Sequence, residues 1–495
     1  MNCAFAQFTD RFWCFGDSAA IDFHNLANPV PSTCILRSRG TCATICDSSG
    51  NLLFYASDPH VDLWLIPGTY DFGYIVNKNN QIMDNGDSLK TTAWYQEMII
   101  TPDPSNGNRF YLFHAGVTNT TNPGFYYSVV DLSYNATLGR VIQKNIQLQT
   151  FPVCDGLAAV KHGNGRDWWV VLKHWNTVNN DFYFYLVTPS GINGPFVQSL
   201  GTASDQGFAR MKFTKEGNKL FVINPNNLIE SFNFDRCSGM LSNINTIQPQ
   251  ISSGSNTGNW SLAFSPNSTK LYVAASDFSN SNNYIFQYDL TATNILASRD
   301  TIYTFDPPSI AGLLQTGPDG KIYSSCPDAL NDCGPFYLYC DTSYYLENMN
   351  LSVINYPDSL GAACDFQPYS FFLGGHRTYM GLPNNPNYEL GADTNSFCDT
   401  VLTIKNQQFE GSKDDLFVFY HSQWQTVFIN AKALQGKSYS LEVFDVLGKI
   451  IYQEEGKLNS EYYSKDLHVE SFSNGLYIVS LQTERERLVK RFVKD

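Results

Sequence analysis

Six times between residues 47 and 323 a polar turn is followed by a short apolar run. The turns are Asp47-Ser48-Ser49-Gly50, Ser105-Asn106-Gly107-Asn108, Gly163-Asn164-Gly165, Lys215-Glu216-Gly217-Asn218, Ser265-Pro266-Asn267-Ser268 and Gly317-Pro318-Asp319-Gly320. The runs behind them occupy 52–55, 110–113, 168–171, 220–223, 271–274 and 321–323. Gly, Asn and Asp suit such turns because they accept positive φ or bond nearby amides. A further strand ending on Asp follows at 127–131, 232–235 and 285–289. The repeat length, roughly 50 to 60 residues, is that of propeller blades. A continuous apolar strand flanked by turns fits a sheet covered on both faces. Trp168 and Trp169 lie in such a run and read as core.

Closure of the ring is read from the ends of the repeat. Residues 12–16 and 20–23 look like the second and third strands of one more blade, and 365–373 like its first strand. Sharing one blade between both ends removes an open sheet edge. Six repeats plus this composite give seven blades. Six blades, with the N-terminal segment adding only an outer strand, is the alternative. Composition agrees with an all-β chain of many short strands: aromatic residues make up 15% and charged residues only 16%.

A second pattern begins near residue 438. Leu441 and Val443 share one strand face, and Tyr477, Val479 and Leu481 share another, the two-residue period of half-buried strands. Asp445 and Gly448 bracket a tight turn, and Asn474-Gly475 reads as another. These features predict a small C-terminal β-sandwich. The chain thus divides into 1–9, a propeller at 10–385, a polar linker at 386–411 and the sandwich at 412–495.

Three ordered motifs sharpen the second pattern: the turn Asp445-Val446-Leu447-Gly448-Lys449, the strand Gly475-Leu476-Tyr477-Ile478-Val479, and the end Lys490-Arg491-Phe492-Val493-Lys494. Together they resemble the type A C-terminal sorting domain of the type IX, or Por, secretion system. The resemblance marks Asp445, Gly448, Lys449, Gly475, Tyr477 and Lys490 as the motif residues. It implies passage through the periplasm to an outer-membrane translocon, removal of the domain by a sortase-like peptidase, and an end point in the medium or on the cell surface. The opening Pro-Asn-Pro-like turn of that family is replaced here by Phe419-Tyr420-His421-Ser422. Residues 10 to 385 are similar to surface-exported β-propellers through Trp13 to Phe23, Thr41 to Tyr55, 317–323 and Gly381-Leu382-Pro383-Asn384. That resemblance carries fold and location, and no catalytic residues.

Export agrees with other features. Ala4-Phe5-Ala6 resembles the end of a secretory signal whose start lies upstream. Twelve cysteines are many for a reducing compartment. The local clusters Cys34, Cys42, Cys46 and Cys326, Cys333, Cys340 are the expected disulfide sources. No apolar run is long enough for a membrane-spanning helix. The net charge of −14 opposes nucleic-acid binding. The basic stretch from Arg485 to Lys494 alternates with apolar residues and reads as an exposed strand face.

Catalytic signals are weak. Gly16-Asp17-Ser18 imitates a hydrolase nucleophile motif, but no D-x-x-H follows anywhere, so a blade turn is the reading. His114, His174, Asp58 and His60 fall near strand ends without metal-ligand spacing. The Asn/Ser-rich loop 277–283 has oxygen ligands but equally has turn composition. We expect no metal and no cofactor. The chain reads as a non-enzymatic propeller that binds an extracellular glycan or protein; the alternative is a propeller hydrolase or lyase acting on polysaccharide or peptide.

Overall fold

The computed structural model describes residues 9–38, 40–58, 73–92, 94–117, 123–250, 257–277, 282–307, 312–325, 344–394, 396, 398, 416–421, 424–431, 434, 436–445, 448–458 and 462–494. Among them, seven antiparallel meander sheets precede residue 373. Blade one holds Phe12–Phe15, Asp17–Asp22 and Val30–Arg37; blade two holds Cys42–Cys46, Leu52–Ser57 and Tyr74–Asn77. Blade three holds Met98–Pro102, Arg109–Gly116, Gly124–Asp131 and Arg140–Gln149; blade four holds Ala158–Lys161, Trp168–Lys173, Asn179–Thr188 and Gly191–Ser204. Blade five holds Arg210–Phe213, Lys219–Ile223, Ile229–Phe234 and Leu241–Gln248; blade six holds Thr257–Phe264, Lys270–Asp277, Asn283–Asp289 and Asp300–Phe305. Blade seven holds Leu314–Thr316, Ile322–Ser324, Asn350–Ile354 and Phe366–Phe372. All six predicted apolar runs are second strands. Their turns close as the side chains dictate: at the first, Asp47 Oδ1 accepts the Ser49 amide at 2.8 Å and Gly50 takes a φ of 91°.

Apolar clusters run continuously around the ring. One spans blades two to four, others join four to five, five to six and six to seven, and a last one links seven, one and two. In the last, Trp13 and Phe23 meet Tyr323 edge-on at 5.8 and 5.6 Å. Each fully buried side chain of this size stabilises by roughly 1.5–3 kcal/mol. Trp168 and Trp169 are buried in the blade interfaces, as their run implied.

The seventh blade closes differently from expectation. Phe366–Phe372 is the outer strand of blade seven, paired with Asn350–Ile354, and not the first strand of blade one. Residues 12–15 do hold the second-strand position. The Cys46 amide donates to Thr9 O, and the Cys14 amide to Thr44 Oγ1, so this strand runs against the inner strand of blade two. The inner place beside it is taken by the later segment 377–385. Arg377 pairs with Asp17 at the upper face, and its backbone bridges to Asp17. Gly381 lies against Gly40, where a Cβ would overlap the Gly40 carbonyl. We call the face carrying the six turns the lower face.

Residues 384–391 then fill the central channel instead of leaving it. Asn384 Nδ2 donates to Met98 O and Leu157 O, both at 3.0 Å. Asn385 Nδ2 donates to Asp10 Oδ1, and its Oδ1 accepts the Thr44 amide. The Tyr388 hydroxyl donates to Ile100 O, and Asn387 Nδ2 to Lys215 O. Composition reads this stretch as a linker; its polar groups serve backbone carbonyls and amides at the inner strands of blades two to four and in the turn after the inner strand of blade five.

The C-terminal module has one three-stranded sheet, Leu416–His421, Thr426–Ala431 and Tyr463–His468. It packs on a four-stranded sheet ordered Ile450–Lys457, Ser438–Asp445, Gly475–Thr483, Arg487–Lys494. Leu441 pairs with Leu481 and Val443 with Val479, all four fully buried, as the alternation predicts.

This module rests on the lower side of blades four and five. Trp424 stacks on Phe196 at 4.0 Å and lies 5.7 Å from Trp169. A disulfide joins Cys237, just beyond blade five's third strand, to Cys398. Gly163 lies beneath it, where any Cβ would strike both sulfurs. The expected local pairs are not formed: Cys34, Cys42 and Cys46 are buried free thiols. Cys42 and Cys46 lie four apart on one inner strand; at about 3.3 Å per residue their Cα atoms are too distant for a bridge. Cys326, Cys333 and Cys340 lie outside the described residues. Burial pushes the thiols of Cys14, Cys42, Cys46 and Cys154 up, keeping them protonated and inert. Alkylation of denatured, unreduced protein is therefore expected to label Cys14, Cys34, Cys42, Cys46, Cys154 and Cys364 and to spare Cys237 and Cys398. Peptide mapping checks this, and label on Cys237 contradicts it.

Across the same contact, Asp466 of the C-terminal module and Asp167 of blade four line one small cavity. Burial, with Asp167 adding to it, pushes the Asp466 carboxyl up from 3.8 to about 7, against Lys465. Its protonated form is thus favoured by the folded state. The stabilisation is full below the unfolded value and is lost as pH rises toward 7. Asp466→Asn is expected to stabilise the protein by about 1–3 kcal/mol at pH ~8 and to change little near pH ~4, as denaturant titration would show.

Candidate functional site

Two places along the channel gather side chains with binding or acid–base chemistry. The first is the upper mouth. Trp94 precedes the inner strand of blade three, Phe208 that of blade five, and Trp260 lies within that of blade six. Phe208 sits 5.2 Å from Trp94 and 5.7 Å from Trp260, edge-on to both. All three are half-buried. A buried ion pair supports them. Arg210 Nη1 lies 2.8 Å from Asp155 Oδ2, its Nε donates to Trp260 O, and its guanidinium covers the Tyr95 ring at 4.8 Å. Asp155 also accepts the Tyr95 and Gln96 amides at 3.1 and 2.7 Å. One carboxylate thereby ties the approaches to blades three and five together. Such rings present flat apolar faces with fixed orientation, suited to stacking.

The second place is a chamber of about 390 Å³ in the lower channel, beside the 384–391 segment. Asp10 and Lys212 face it. Asp10 Oδ1 accepts from Asn385 Nδ2 at 2.6 Å and Trp13 Nε1 at 2.9 Å. Burial outweighs these bonds and pushes its carboxyl up to about 7. Lys212 Nζ donates to Gln315 Oε1 at 2.6 Å, and burial lowers its ammonium to about 8. Glu389, at the rim, is also pushed up by burial. Lys161 Nζ donates to Tyr388 O and is lowered to about 8 by burial and by Arg236. These perturbed groups lie far apart in sequence, in plain strands and a polar segment, so no motif announces them.

Other predicted residues serve structure. His114 is buried between Lys90 O and Ser128 Oγ, and burial lowers it to about 4. His174 packs on Phe151 at 4.3 Å. Asp58 is buried against Thr91. Ser18 has a φ of 63° in a blade-one turn whose Asp17 is paired with Arg377. His60 and most of 277–283 lie outside the described residues.

In the C-terminal module the motif residues fall in one sheet. Asp445 Oδ1 accepts the Lys449 amide at 3.0 Å, and Gly448 closes the turn with a φ of 79°. Gly475 opens its strand opposite Lys494, and Asn474 makes only a bend before it. Tyr477 is buried, donates to Ser473 O and stacks on Phe492 at 5.2 Å. Lys490 pairs across the sheet with Val479. The terminal stretch is not simply an exposed face. Lys494 is buried, its ammonium donating to Val469 O at 2.7 Å and Phe472 O at 2.8 Å.

Residues 424–495 match the family described as a secretion system C-terminal sorting domain. The strand Leu416–His421 precedes that match yet belongs to the same sandwich. No curated protein matches the chain. Among solved structures the chain is similar to a quinoprotein alcohol dehydrogenase-like protein from Bacteroides thetaiotaomicron, at 11% identity over 70% of this chain and 73% of that one, TM-score 0.37. It is similar also to the periplasmic gluconolactonase of Pseudomonas aeruginosa, at 11% identity over 82% and 96%, TM-score 0.36. A third is the extracellular domain of a one-component system of B. thetaiotaomicron, at 12% identity over 99% and 56%, TM-score 0.36. Likenesses this distant bear on neither activity nor ligand. The ring of seven sheets and the matched tail identify the chain as an exported β-propeller protein with a type IX secretion-system C-terminal sorting domain, carried by way of the periplasm to the cell surface or the medium.

Proposed function

We propose that the propeller is a non-enzymatic binding module for an extracellular glycan, displayed or released after export. The observation that carries this reading is the trio Trp94, Phe208 and Trp260 around the upper mouth, half-buried and held by the Arg210–Asp155 pair. Sugar rings stack on such faces, and a pre-fixed platform spends little entropy on binding. The sorting domain engages the translocon and is removed by a sortase-like peptidase. The working division is a propeller at 10–385, a connection at 386–411 whose first residues lie in the channel, and a sorting module at 412–495. A glycan array probed with the full chain tests the reading. Trp260→Ala is expected to weaken the best hit by at least about tenfold, the scale of one aromatic contact at a binding site. An array without hits, or unchanged binding by Trp260→Ala and Trp94→Ala, overturns it.

A second reading has its own support. A carboxyl raised to about 7 and an ammonium lowered to about 8 in one chamber are the pair that acid–base chemistry uses. Product release from polysaccharide or peptide by the full chain, lost in Lys212→Met, would favour a hydrolase or lyase.

A further inference from the structure

We propose that the lower channel chamber is a second binding site, separate from the aromatic mouth, for a small organic anion with an apolar body, with Lys212 as its anchoring cation.

The chamber runs against the character of the whole chain. The protein carries a net charge of −14, yet Arg11, Lys212 and Lys215 converge on this chamber. The opposing carboxyls are Asp10 and Glu389, and burial favours the neutral form of both. Lys215 is exposed, whereas burial lowers the ammonium of Lys212. Its hydrogen bond among the described residues goes to the neutral amide of Gln315, which cannot balance its charge. The charge of Asp10 favours the Lys212 ammonium, but burial raises that carboxyl to about 7, so it is only partly ionised near neutrality, and its hydrogen bonds come from Asn385 and Trp13. A desolvated ammonium facing open volume is satisfied best by an anion that enters with it.

The walls set the rest of the ligand. Ile99, Val160, Met211, Phe264 and Pro266 are apolar. The volume falls in the lower part of the ~300–1,000 Å³ range of small-molecule sites. Lys215, Pro266, Pro318 and Gly320 belong to the lower-face turns of blades five to seven, so the chamber opens there and not through the aromatic mouth. The residues 384–389 form one wall, so the site exists only when that segment is seated.

The test uses two dyes with the same body and the full-length chain. Anilinonaphthalene sulfonate carries an anion; N-phenylnaphthylamine is that body without it. Fluorescence titration is expected to show one saturable sulfonate site per chain. The neutral dye should bind at least about tenfold more weakly, the scale of one hydrogen bond between charged partners. Lys212→Met should erase that preference, and Lys212→Arg should keep it. The sulfonate does not titrate, so its affinity should fall as pH rises from about 6 to about 9, while Asp10 gains charge and Lys212 loses it; Glu389, Arg11 and Lys215 also face the chamber. Equal affinity for the two dyes in the wild-type chain overturns the proposal whatever the variants do. So does a preference that survives in Lys212→Met. Loss of the signal in Trp260→Ala but not in Lys212→Met places the dye at the aromatic mouth and overturns it as well.

Discussion

Deletion of residues 412–495 is expected to leave a folded propeller stranded in the periplasm, with surface display reduced to background. The deleted module has a core of its own, in which Leu416, Val427, Ile429, Leu441, Val479 and Leu481 pack between its two sheets. The propeller keeps every blade, the channel segment 384–391 and the Cys237–Cys398 disulfide, because all lie before the cut. What it loses is the cover over Phe196 and Trp169 from Trp424 and Phe428. Re-exposing those faces costs about 1–3 kcal/mol, a tolerable fraction for a ring held by continuous blade interfaces. Cell fractionation with surface proteolysis of intact bacteria reads the outcome. Normal surface amounts of the truncated protein would show that export does not depend on this module. A milder lesion at the same site is Gly448→Val. Among the described residues no atom crowds that position, but a β-branched residue at a φ of 79° is strained by about 1–2 kcal/mol. It should lower display without unfolding the propeller.

Asp155→Ala is expected to be the most destabilising single change in the propeller. The Asp155 carboxylate is fully buried and takes three donors: the Tyr95 amide, the Gln96 amide and the Arg210 guanidinium. Removing it strands a charge that is only 2% exposed. Breaking such a pair on one side costs about 3–5 kcal/mol. Two orphaned amides add about 1–3 kcal/mol each where no water replaces the carboxylate. The total rivals the whole stability of many domains, about 5–15 kcal/mol. Denaturant unfolding measures it. Replacing both partners, Asp155→Leu with Arg210→Met, removes the stranded charge and should recover a large part of the loss. If the single variant unfolds at nearly the wild-type denaturant concentration, water or a rearranged loop is satisfying Arg210, and Asp155 is not what holds the upper mouth together.

The blades were legible in sequence because each repeat states its structure locally. A turn such as Asp47 to Gly50 makes its own hydrogen bonds, and the strand behind it is apolar on both faces because blades cover it twice. The closing segment was not legible for the converse reason. Asn384, Asn385 and Tyr388 bond to strands more than two hundred residues away, so their composition looks like that of a solvated connection. The disulfide spans 161 residues, which no spacing rule reveals, while the tempting cluster Cys34, Cys42 and Cys46 is simply small buried strand residues. The channel sites share this difficulty. Trp94, Phe208 and Trp260 come from three blades, and Lys212 sits in an ordinary inner strand. Only closing the ring brings them together. The sorting motif was the opposite case, since Asp445, Gly448 and Tyr477 act through turns and neighbouring strands.

The position of the disulfide also decides how the protein bears tension. A translocon that draws the chain by its C-terminal end pulls on everything beyond Cys398. That pull meets the covalent anchor at Cys237 before it can reach residues 384–391 in the channel. The load then enters blade five's edge and is shared with blade four through Arg236, whose guanidinium holds the Lys161 and His162 carbonyls. The bond works like the clamp on an electrical cord: a tug on the cable is taken by the housing, and the contacts inside stay where they are.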